Sequence, residues 1–503
     1  MSGVRTLAIA GQGAIPWITA AALLRAFPKR AFEVTVIDSG VSRDARAGYC
    51  TLPSQRGMHG LLGLNEPQLV ERTGATFRLA AEHRDWQGAG SHFLHAHGDI
   101  GLEFGATPFY KFLLSEAIAS RPQAPEAFSV AGAAARLGRF ARPMGEARTL
   151  TSSFTYGFHF DAAAYTTALR THALQLGVRA GEAPLASVSR TESGAIEALV
   201  LTDGSRVAAD LYVDATGPEA KLIGALSPER ESWSHWLPCD AMLSARVPES
   251  RGEAPPMTQT LAVEQGWMWR MPLVEASMIG HVFSTRFTDV DSAAAEMRAR
   301  EPALREAPLL ARFDAGRRRR LWVRNCVAIG AAAVELEPLA GADFHLAQLG
   351  IATLIELFPH ERAAAVEAAE YDRLMADCAD RIRDFTLAHY HAGAPRAGEF
   401  WDATRASALP PALAAKLDLF SASGRINVLD NESFEEIDWA WLLIGSGRKP
   451  ATLEMQIRNQ LSRLAPPEVA ALRAHIGKVA ASMPPHLEYV RRQGAAARPR
   501  QSP

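Results

Sequence analysis

The chain has little cysteine: four in 503 residues, Cys50, Cys239, Cys326 and Cys378, widely spaced and with no CxxC pair. That scarcity excludes a disulfide scaffold and a thiolate zinc site, and it fits a reducing, cytoplasmic setting. There is no excess of charge of either sign: the formal net charge is -2 and the pI is near 6.7. Such balance gives no footprint for nucleic acid or for an anionic membrane, so neither is expected as a partner. A long hydrophobic run is missing too. The apolar opening Leu7 to Leu24 is interrupted by Gly11, Gln12, Gly13 and Pro16, and no small-residue cleavage site follows it. It reads as neither signal peptide nor membrane span. No internal repeat is found. What remains is ordinary for a globular protein, 48% hydrophobic and 21% charged, in a chain long enough for two or three sub-structures.

The first forty residues read strand, glycine turn, helix, strand. Thr6–Ala10 is a short apolar run, Trp17–Phe27 is rich in Ala and Leu, and Val34–Ile37 is β-branched and ends at Asp38. This is the order of a βαβ unit with a parallel sheet. Residues 121–151 shift to Ala, Pro, Gly and Arg and are expected to be a loosely ordered connection. Two strand signals, 195–202 and 206–209, flank the hairpin turn Asp203-Gly204. A buried strand at Leu211–Asp214 leads to Ala215-Thr-Gly217, and Trp233 to about Phe287 suggests a second sheet over a pocket. Residues 288–320 read as charged and helical, the run Arg317–Arg320 being a solvated helix end. Cys326–Ile329 is a further strand leading into Gly330, and the chain is mainly helical after about 351. The expected architecture is therefore α/β, with a discontinuous nucleotide-binding part (1–120, 151–225, 320–350), a substrate-side sheet and helix (226–319) and a helical C-terminal part (351–490). The Ala-, Arg- and Pro-rich end, 491–503, is expected to be disordered.

The turn Gly11-Gln-Gly13-Ala14-Ile15-Pro16 carries the first chemical signal. Gly11 supplies the tight turn, Gly13 lets the backbone approach a pyrophosphate, and the helix that follows offers free N–H groups and a positive dipole end. Asp38 closes the second strand where a ribose hydroxyl acceptor is needed. Pro16 replaces the third glycine of the dinucleotide pattern; it is tolerated in a first helical turn, but helix–strand packing there must differ. Asp214-Ala-Thr-Gly217 after its hydrophobic strand is a second approach of backbone to a dinucleotide.

Trp267-Met-Trp269-Arg-Met-Pro272 resembles the WxWxIP signature of the flavin-dependent tryptophan halogenases, with Met271 for Ile. Trp236–Asp240 is similar to the family's YLPCD stretch, Phe158–Asp161 to YHFD, Asn325–Gly330 to NCVAIG, and Glu337-Pro338-Leu339 to the start of EPLEST. Arg383–Phe385, His389-Tyr390 and Phe434–Gly447 follow its C-terminal helices, so the resemblance spans nearly the whole chain. It implies a flavoprotein-monooxygenase fold binding FAD, with Thr51, Gly217, Gly330, Pro338, Leu339 and Gly341 at the cofactor beside Gly11, Gly13, Ala14, Ile15, Asp38 and Asp214, and with Trp267, Trp269 and Pro272 on the flavin side. It further implies reduced FAD from a separate flavin reductase, O2 activation through a C4a-hydroperoxide, halide as a co-substrate and a small aromatic or indolic substrate; a homodimer is compatible with it.

Two side chains that the family uses in catalysis are absent. Thr76-Phe-Arg78-Leu-Ala80 carries Arg78 where the family has lysine, and Ala340-Gly341 stands in place of its glutamate and serine. A guanidinium stays protonated and is a poor nucleophile, although its planar fork can orient an anion or carboxylate. Tyr49, in Gly48–Pro53, replaces the acid of a GEATxP strap. Candidate substitutes are few. Asp343 and His345 would lie about 200° apart on a helix. His95 and His97 would share a strand face, with His92 on the same segment, but no third ligand is near and no metal is expected. Lys111 is read as a surface lysine.

These features point to an FAD-dependent oxidoreductase favouring oxygenation or relaxed halogenation over regiospecific tryptophan chlorination. An active halogenase with non-standard catalytic residues and a non-catalytic FAD-binding protein are the alternatives. No separate nicotinamide motif is present, so NADPH alone should not reduce the bound flavin; rapid bleaching of its visible absorbance under anaerobic NADPH, with no reductase added, would contradict this.

Overall fold

In a computed structural model of the chain, describing residues 3–28, 32–38, 47–145, 149–248, 254–359 and 365–497, the apolar opening becomes the centre of a parallel sheet. Strand Thr6–Gly11 lies between Leu211–Ala215 and Glu33–Asp38, with Cys326–Ala328 and Arg179–Ala180 outside them and all four contacts parallel. A short antiparallel strand, Trp322–Val323, closes one edge. Strands buried on both faces need continuous apolar sequence, and Leu7, Ala8, Ile9, Ala10, Tyr212 and Val213 supply it. The helix Ala14–Ala26 covers one face and packs on helix Ala162–Gln175. Register sets the functional edge: Gly11 pairs with Ala215 on one side and Asp38 on the other, so turn, loop and acid meet at the carboxyl end of the strands.

A second, seven-stranded sheet runs Leu309–Arg312, Ala241–Pro248, Ala276–Phe283, Gly266–Pro272, Met257–Val263, Ala80–Arg84 and His92–Ala96. The sheet expected over 233–287 is present, but it recruits strands 80–84 and 92–96 from the stretch assigned to the nucleotide-binding part. A third sheet of three strands, Gly48–Cys50, Gly157–Asp161 and Thr76–Arg78, joins the two bodies. The Asp203-Gly204 hairpin forms as expected between Ile196–Leu201 and Arg206–Val207. From Ala342 onward the described residues are helical apart from loops, the longest helix being Ala365–His391.

Three expectations are corrected. Residues 121–151 are not a loose connection: Pro125–Phe128 forms a 3-10 turn and Val130–Arg136 a buried helix, with residues 146–148 outside the described residues. Ser129 accepts the Gly132 N–H as its N-cap, and the alanines fit tightly against helix Pro466–Ser482. Only Val290–Arg300 of the 288–320 stretch is helical. Arg317 and Arg318 belong to strand Gly316–Arg318, where Arg317 pairs with Glu231 and Asp380 and buried Arg318 donates to the Ala332 and Ser227 carbonyls. Acceptors distant in sequence thus decide what looked like a local charge run. Finally, the C-terminal helix His486–Ala497 extends past 491; the rest of the expected disordered tail lies outside the described residues.

Gly11 has no room for a side chain, because a Cβ there would sit 2.3 Å from the Ala215 carbonyl oxygen. Gly11→Ala should therefore cost about 1–3 kcal/mol by overpacking and should weaken FAD binding with it. Thermal melting and flavin titration of the purified variant measure both, and a variant melting with the wild type would show that the turn relaxes freely.

Candidate active site

At the carboxyl edge Gly13 takes φ 67°, ψ -152°, a conformation suited to glycine, and opens helix Ala14–Ala26. That helix has no side-chain cap and no acidic residue in its first turn. Its first N–H groups and positive end are left for an anion from outside. Beside it lies a cavity of about 570 Å3 lined by Gln12, Ile15, Gly217, Gly330 and Pro338, by Tyr49 and Phe344, and by Met242 and Leu309–Phe313 from the second sheet. Gly217 and Gly330 have φ of 74° and 67°, and a Cβ would meet nothing within 4 Å at Gly217 and nothing nearer than 3.7 Å at Gly330. An uncapped helix start with open glycines around a cavity fits a dinucleotide such as FAD. Gln12, Ala14 and Ile15 would face the diphosphate, and Asp38, hydrogen-bonded by the Gln12 amide at 3.4 Å, the ribose.

Two of the expected cofactor residues serve this cavity from behind. Asp214 is fully buried, and its carboxylate accepts from Thr216 N and Oγ1 and from Leu222 and Ile223 N. It shapes the loop carrying Gly217, and burial raises its pKa despite these donors. Thr51 receives the Phe158 N–H on its Oγ1 and an Arg78 N–H on its carbonyl. Tyr49, on the same segment, lines the cavity instead, its ring 5.3 Å from that of Phe344.

The residues that sequence reasoning missed come from segments read as something else. Leu309–Phe313 lies in the charged stretch whose composition points to helix, yet Leu309–Arg312 is strand. Glu335, two residues before the EPL stretch, carried no motif of its own. It lines the cavity, and burial pushes its carboxyl up to about 7 although Arg230 stands 3.0 Å away. Its Oε1 has no hydrogen-bond partner among the described residues.

The tryptophan signature is structural as well as positional. Trp267 donates from Nε1 to Glu337 Oε2 at 3.1 Å, and the Tyr390 hydroxyl donates to the same oxygen. Trp269 lies over Gly280, where a Cβ would be 2.2 Å from the indole. The Pro272 carbonyl accepts from Thr76 Oγ1 at 2.6 Å. The strand thus ties the EPL segment to the Thr76–Arg78 segment. Neither tryptophan borders the 570 Å3 cavity; Trp269 and Pro272 line a separate groove on the second sheet.

Arg78 is 1% exposed and does not line the cavity. Its Nε donates to Thr258 Oγ1 at 3.0 Å and its Nη1 to the Thr51 carbonyl at 3.1 Å. Leu339 is buried, while Ala340 and Gly341 take φ of 60° and 78° at the start of helix Ala342–Glu356. Among the described residues no lysine takes the place of the missing amine. Lys111 is not a surface lysine, as the sequence suggested, but is buried, donating to the Gly424 carbonyl at 2.7 Å, where it ends helix Pro411–Ser423. His345 is buried with Nδ1 3.0 Å from Ser54 Oγ, and burial holds its pKa down to about 4. Asp343 lines the cavity from the same helix. His95 contacts Asp438 at 3.1 Å, and no cluster of three or more potential metal ligands occurs among the described residues. None of the helices in the described residues is long and apolar enough to cross a membrane.

Comparison with known proteins agrees with this geometry. The tryptophan halogenase family model matches residues 6–460. A tryptophan 6-halogenase from Streptomyces toxytricini is 29% identical over 82% of each chain. Among solved structures, a flavin-dependent halogenase from Xanthomonas campestris superimposes with a TM-score of 0.91 at 32% identity, over 98% of this chain and 99% of that one. Another, from Brevundimonas sp. BAL3, gives 0.90 at 32% over 97% and 99%. Matched from its glycine turn to its C-terminal helices, the chain belongs to the tryptophan halogenase family of flavin-dependent enzymes.

Proposed function

We propose that the protein uses reduced FAD, delivered by a separate flavin reductase, and O2 to oxygenate an electron-rich aromatic or indolic substrate, with halogenation as an unguided side capacity. The observation that carries this reading is the state of Arg78: a buried guanidinium tied to Thr258 and Thr51 where relatives would offer a free amine. Bound reduced flavin would supply the electrons that activate O2. The chain's own residues do the rest. The uncapped helix start and the Gly13, Gly217 and Gly330 cradle bind the diphosphate. Tyr49, Phe344 and Met242 give the cavity an apolar face against which a flat ring would pack. With Ala340 and Gly341 in place of carboxylate and hydroxyl, the proton acceptor that the resemblance implies is missing from that position, so reactivity falls to the substrate's own electron density. Identity of 32% to two flavin-dependent halogenases favours a second reading, halogenation by non-standard residues.

Supplying the protein with FAD, a flavin reductase, NADH, O2 and a 5-hydroxyindole separates these readings by mass spectrometry. Oxygenation predicts a product heavier by one oxygen atom, formed with or without bromide. A single brominated regioisomer in bromide would instead establish guided halogenation. Hydrogen peroxide alone, formed as fast as by free flavin, would leave a non-catalytic FAD-binding protein.

Glu335 predicts a pH dependence. Below pH 7 its carboxyl is largely neutral; as pH rises through about 7 it places a negative charge in the wall of a cavity meant for a diphosphate. FAD affinity should therefore fall about two- to fivefold between pH 6 and 8, the size of a solvent-screened charge several Å away. Glu335→Gln should flatten the curve in a fluorescence titration. An unchanged slope in that variant would assign the pH effect elsewhere.

A further inference from the structure

We propose that Trp267, Trp86 and Tyr390 form a one-electron relay behind the flavin cavity, with Tyr390 as the terminal electron donor and Glu337 as the acceptor of its proton. The relay rests on the FAD site and not on whether the enzyme oxygenates or halogenates. It begins one layer behind the cavity wall. Leu336 and Pro338 line the cavity, and Glu337 between them is fully buried and receives the Trp267 indole N–H at 3.1 Å. From Trp267 the rings follow one another in contact. The centroid of Trp86 lies 6.1 Å from that of Trp267, and that of Tyr390 lies 5.4 Å from Trp86. These separations are those of packed aromatic pairs, and none of the three side chains is more than 2% exposed. An electron can therefore pass from ring to ring without any side chain moving.

What separates this row from ordinary core packing is where its protons can go. A phenol that loses an electron becomes a strong acid, so a buried tyrosine is oxidised readily only beside a base. The Tyr390 hydroxyl donates to Glu337 Oε2 at 2.5 Å, and no cation pairs with that carboxylate among the described residues. Tyr156 also donates to a carboxylate, Glu66, but Arg142 holds that one at 2.7 Å, and a neighbouring cation weakens a carboxylate as a base. Burial acts on Glu337 in the opposite sense and strengthens its hold on a proton. The other indoles have no base. Trp86 donates to the Thr260 hydroxyl at 3.0 Å, and Trp401, 5.6 Å from both Trp86 and Tyr390, donates to the Val263 carbonyl at 2.9 Å. In the relay an oxidant in the cavity takes one electron from Trp267, Trp86 refills Trp267, Tyr390 refills Trp86, and the Tyr390 proton crosses to Glu337 Oε2. The oxidant gains one electron, Tyr390 becomes a neutral radical and Glu337 a neutral acid. In turnover the oxidant is a peroxide-derived oxygen radical, formed when O2 is reduced without substrate. Reduced flavin of the next cycle returns the electron and Glu337 returns the proton, so damaging oxidising equivalents are drawn out of the cavity.

Flash excitation of oxidised FAD in the FAD-loaded protein supplies a one-electron oxidant at the cavity without turnover, so the result does not depend on which product the enzyme makes. Transient absorption and EPR should show a tyrosyl radical in the wild type, its EPR signal narrowing when the protein is prepared with ring-deuterated tyrosine. Tyr390→Phe should leave a tryptophan radical in its place. Glu337→Gln, which still accepts a hydrogen bond but cannot take the proton, should lose the tyrosyl signal, and Trp86→Phe should stop the radical at Trp267. Trp401→Phe makes the same change of size in the same core but beside the path, and should keep the tyrosyl signal. A wild type without a tyrosyl radical, a tyrosyl radical that survives Tyr390→Phe, or equal loss in Trp86→Phe and Trp401→Phe overturns the proposal. The wild type also carries a test of the role. Supplied with reduced FAD and O2 but no organic substrate, it should accumulate oxidised Trp267, read by peptide mass spectrometry, more slowly than Tyr390→Phe; equal rates count against the relay.

Discussion

A carboxylate without a cation holds the parts of this protein together. Glu337 is fully buried, accepts from the Trp267 indole and the Tyr390 hydroxyl, and lies against the Cys239 thiol. Those partners come from the second sheet, from the longest C-terminal helix and from the segment that precedes strand Ala241–Pro248. Burial is the dominant influence on its ionisation and drives its pKa up. With only neutral donors on its Oε2 and no partner for its Oε1 among the described residues, the group is a hub for geometry more than a source of Coulomb energy. Trp86, in tilted contact with Trp267 and Tyr390 and edge-on to Trp401, fills the space around the hub. The EPL segment is thereby fixed from both sides, and with it Pro338 and the start of helix Ala342–Glu356, which form one wall of the flavin-sized cavity.

The opposite wall depends on register. Parallel pairing brings Gly11, Asp38 and Ala215 level, so the nucleotide edge is set by strands far apart in sequence. Asp214 then acts indirectly: by accepting four internal hydrogen bonds it gives the Gly217 loop its shape, leaving backbone instead of charge facing the cavity. An anionic diphosphate is better served by that arrangement than by an exposed carboxylate.

How much of this could be read from the chain differed by the range of the forces involved. The βαβ unit, the Asp203-Gly204 hairpin and the strand Leu211–Ala215 were legible because apolar runs and turn chemistry act locally. The second sheet was legible in its centre, where residues 241–283 form consecutive antiparallel strands. One edge was not, since Leu309–Arg312 owes its conformation to strand Ala241–Pro248, far along the chain; the other, His92–Ala96, hairpins with Ala80–Arg84, which joins this sheet through Met257–Val263. Arg317–Arg320 misled for the same reason: Glu231 and Asp380 determine its strand, and neither is near in sequence. In the site, the glycines of the cradle announced themselves. Glu335 did not, because its unusual protonation arises from burial, which no motif encodes.

The resemblance sets Arg78 where the family carries lysine, and this one position illustrates why a shared scaffold does not fix the chemistry. A lysine amine can be made neutral by burial, so a dry interior can hold it without a companion ion. A guanidinium cannot shed its proton at accessible pH. Burying Arg78 therefore commits the surrounding structure to permanent positive charge, and the neighbours match that commitment: histidines kept neutral, a threonine hydroxyl and a backbone carbonyl as acceptors, and donors left open. Ala340 and Gly341 agree with it from the other side. Ala340 itself takes φ 60°, and a side chain at 341 would stand 3.0 Å from the Cys50 carbonyl. Tyr49, Arg78 and Gly341 thus meet around one segment, Gly48–Thr51: Tyr49 lies on it, Arg78 donates to the Thr51 carbonyl, and Gly341 lies against the Cys50 carbonyl.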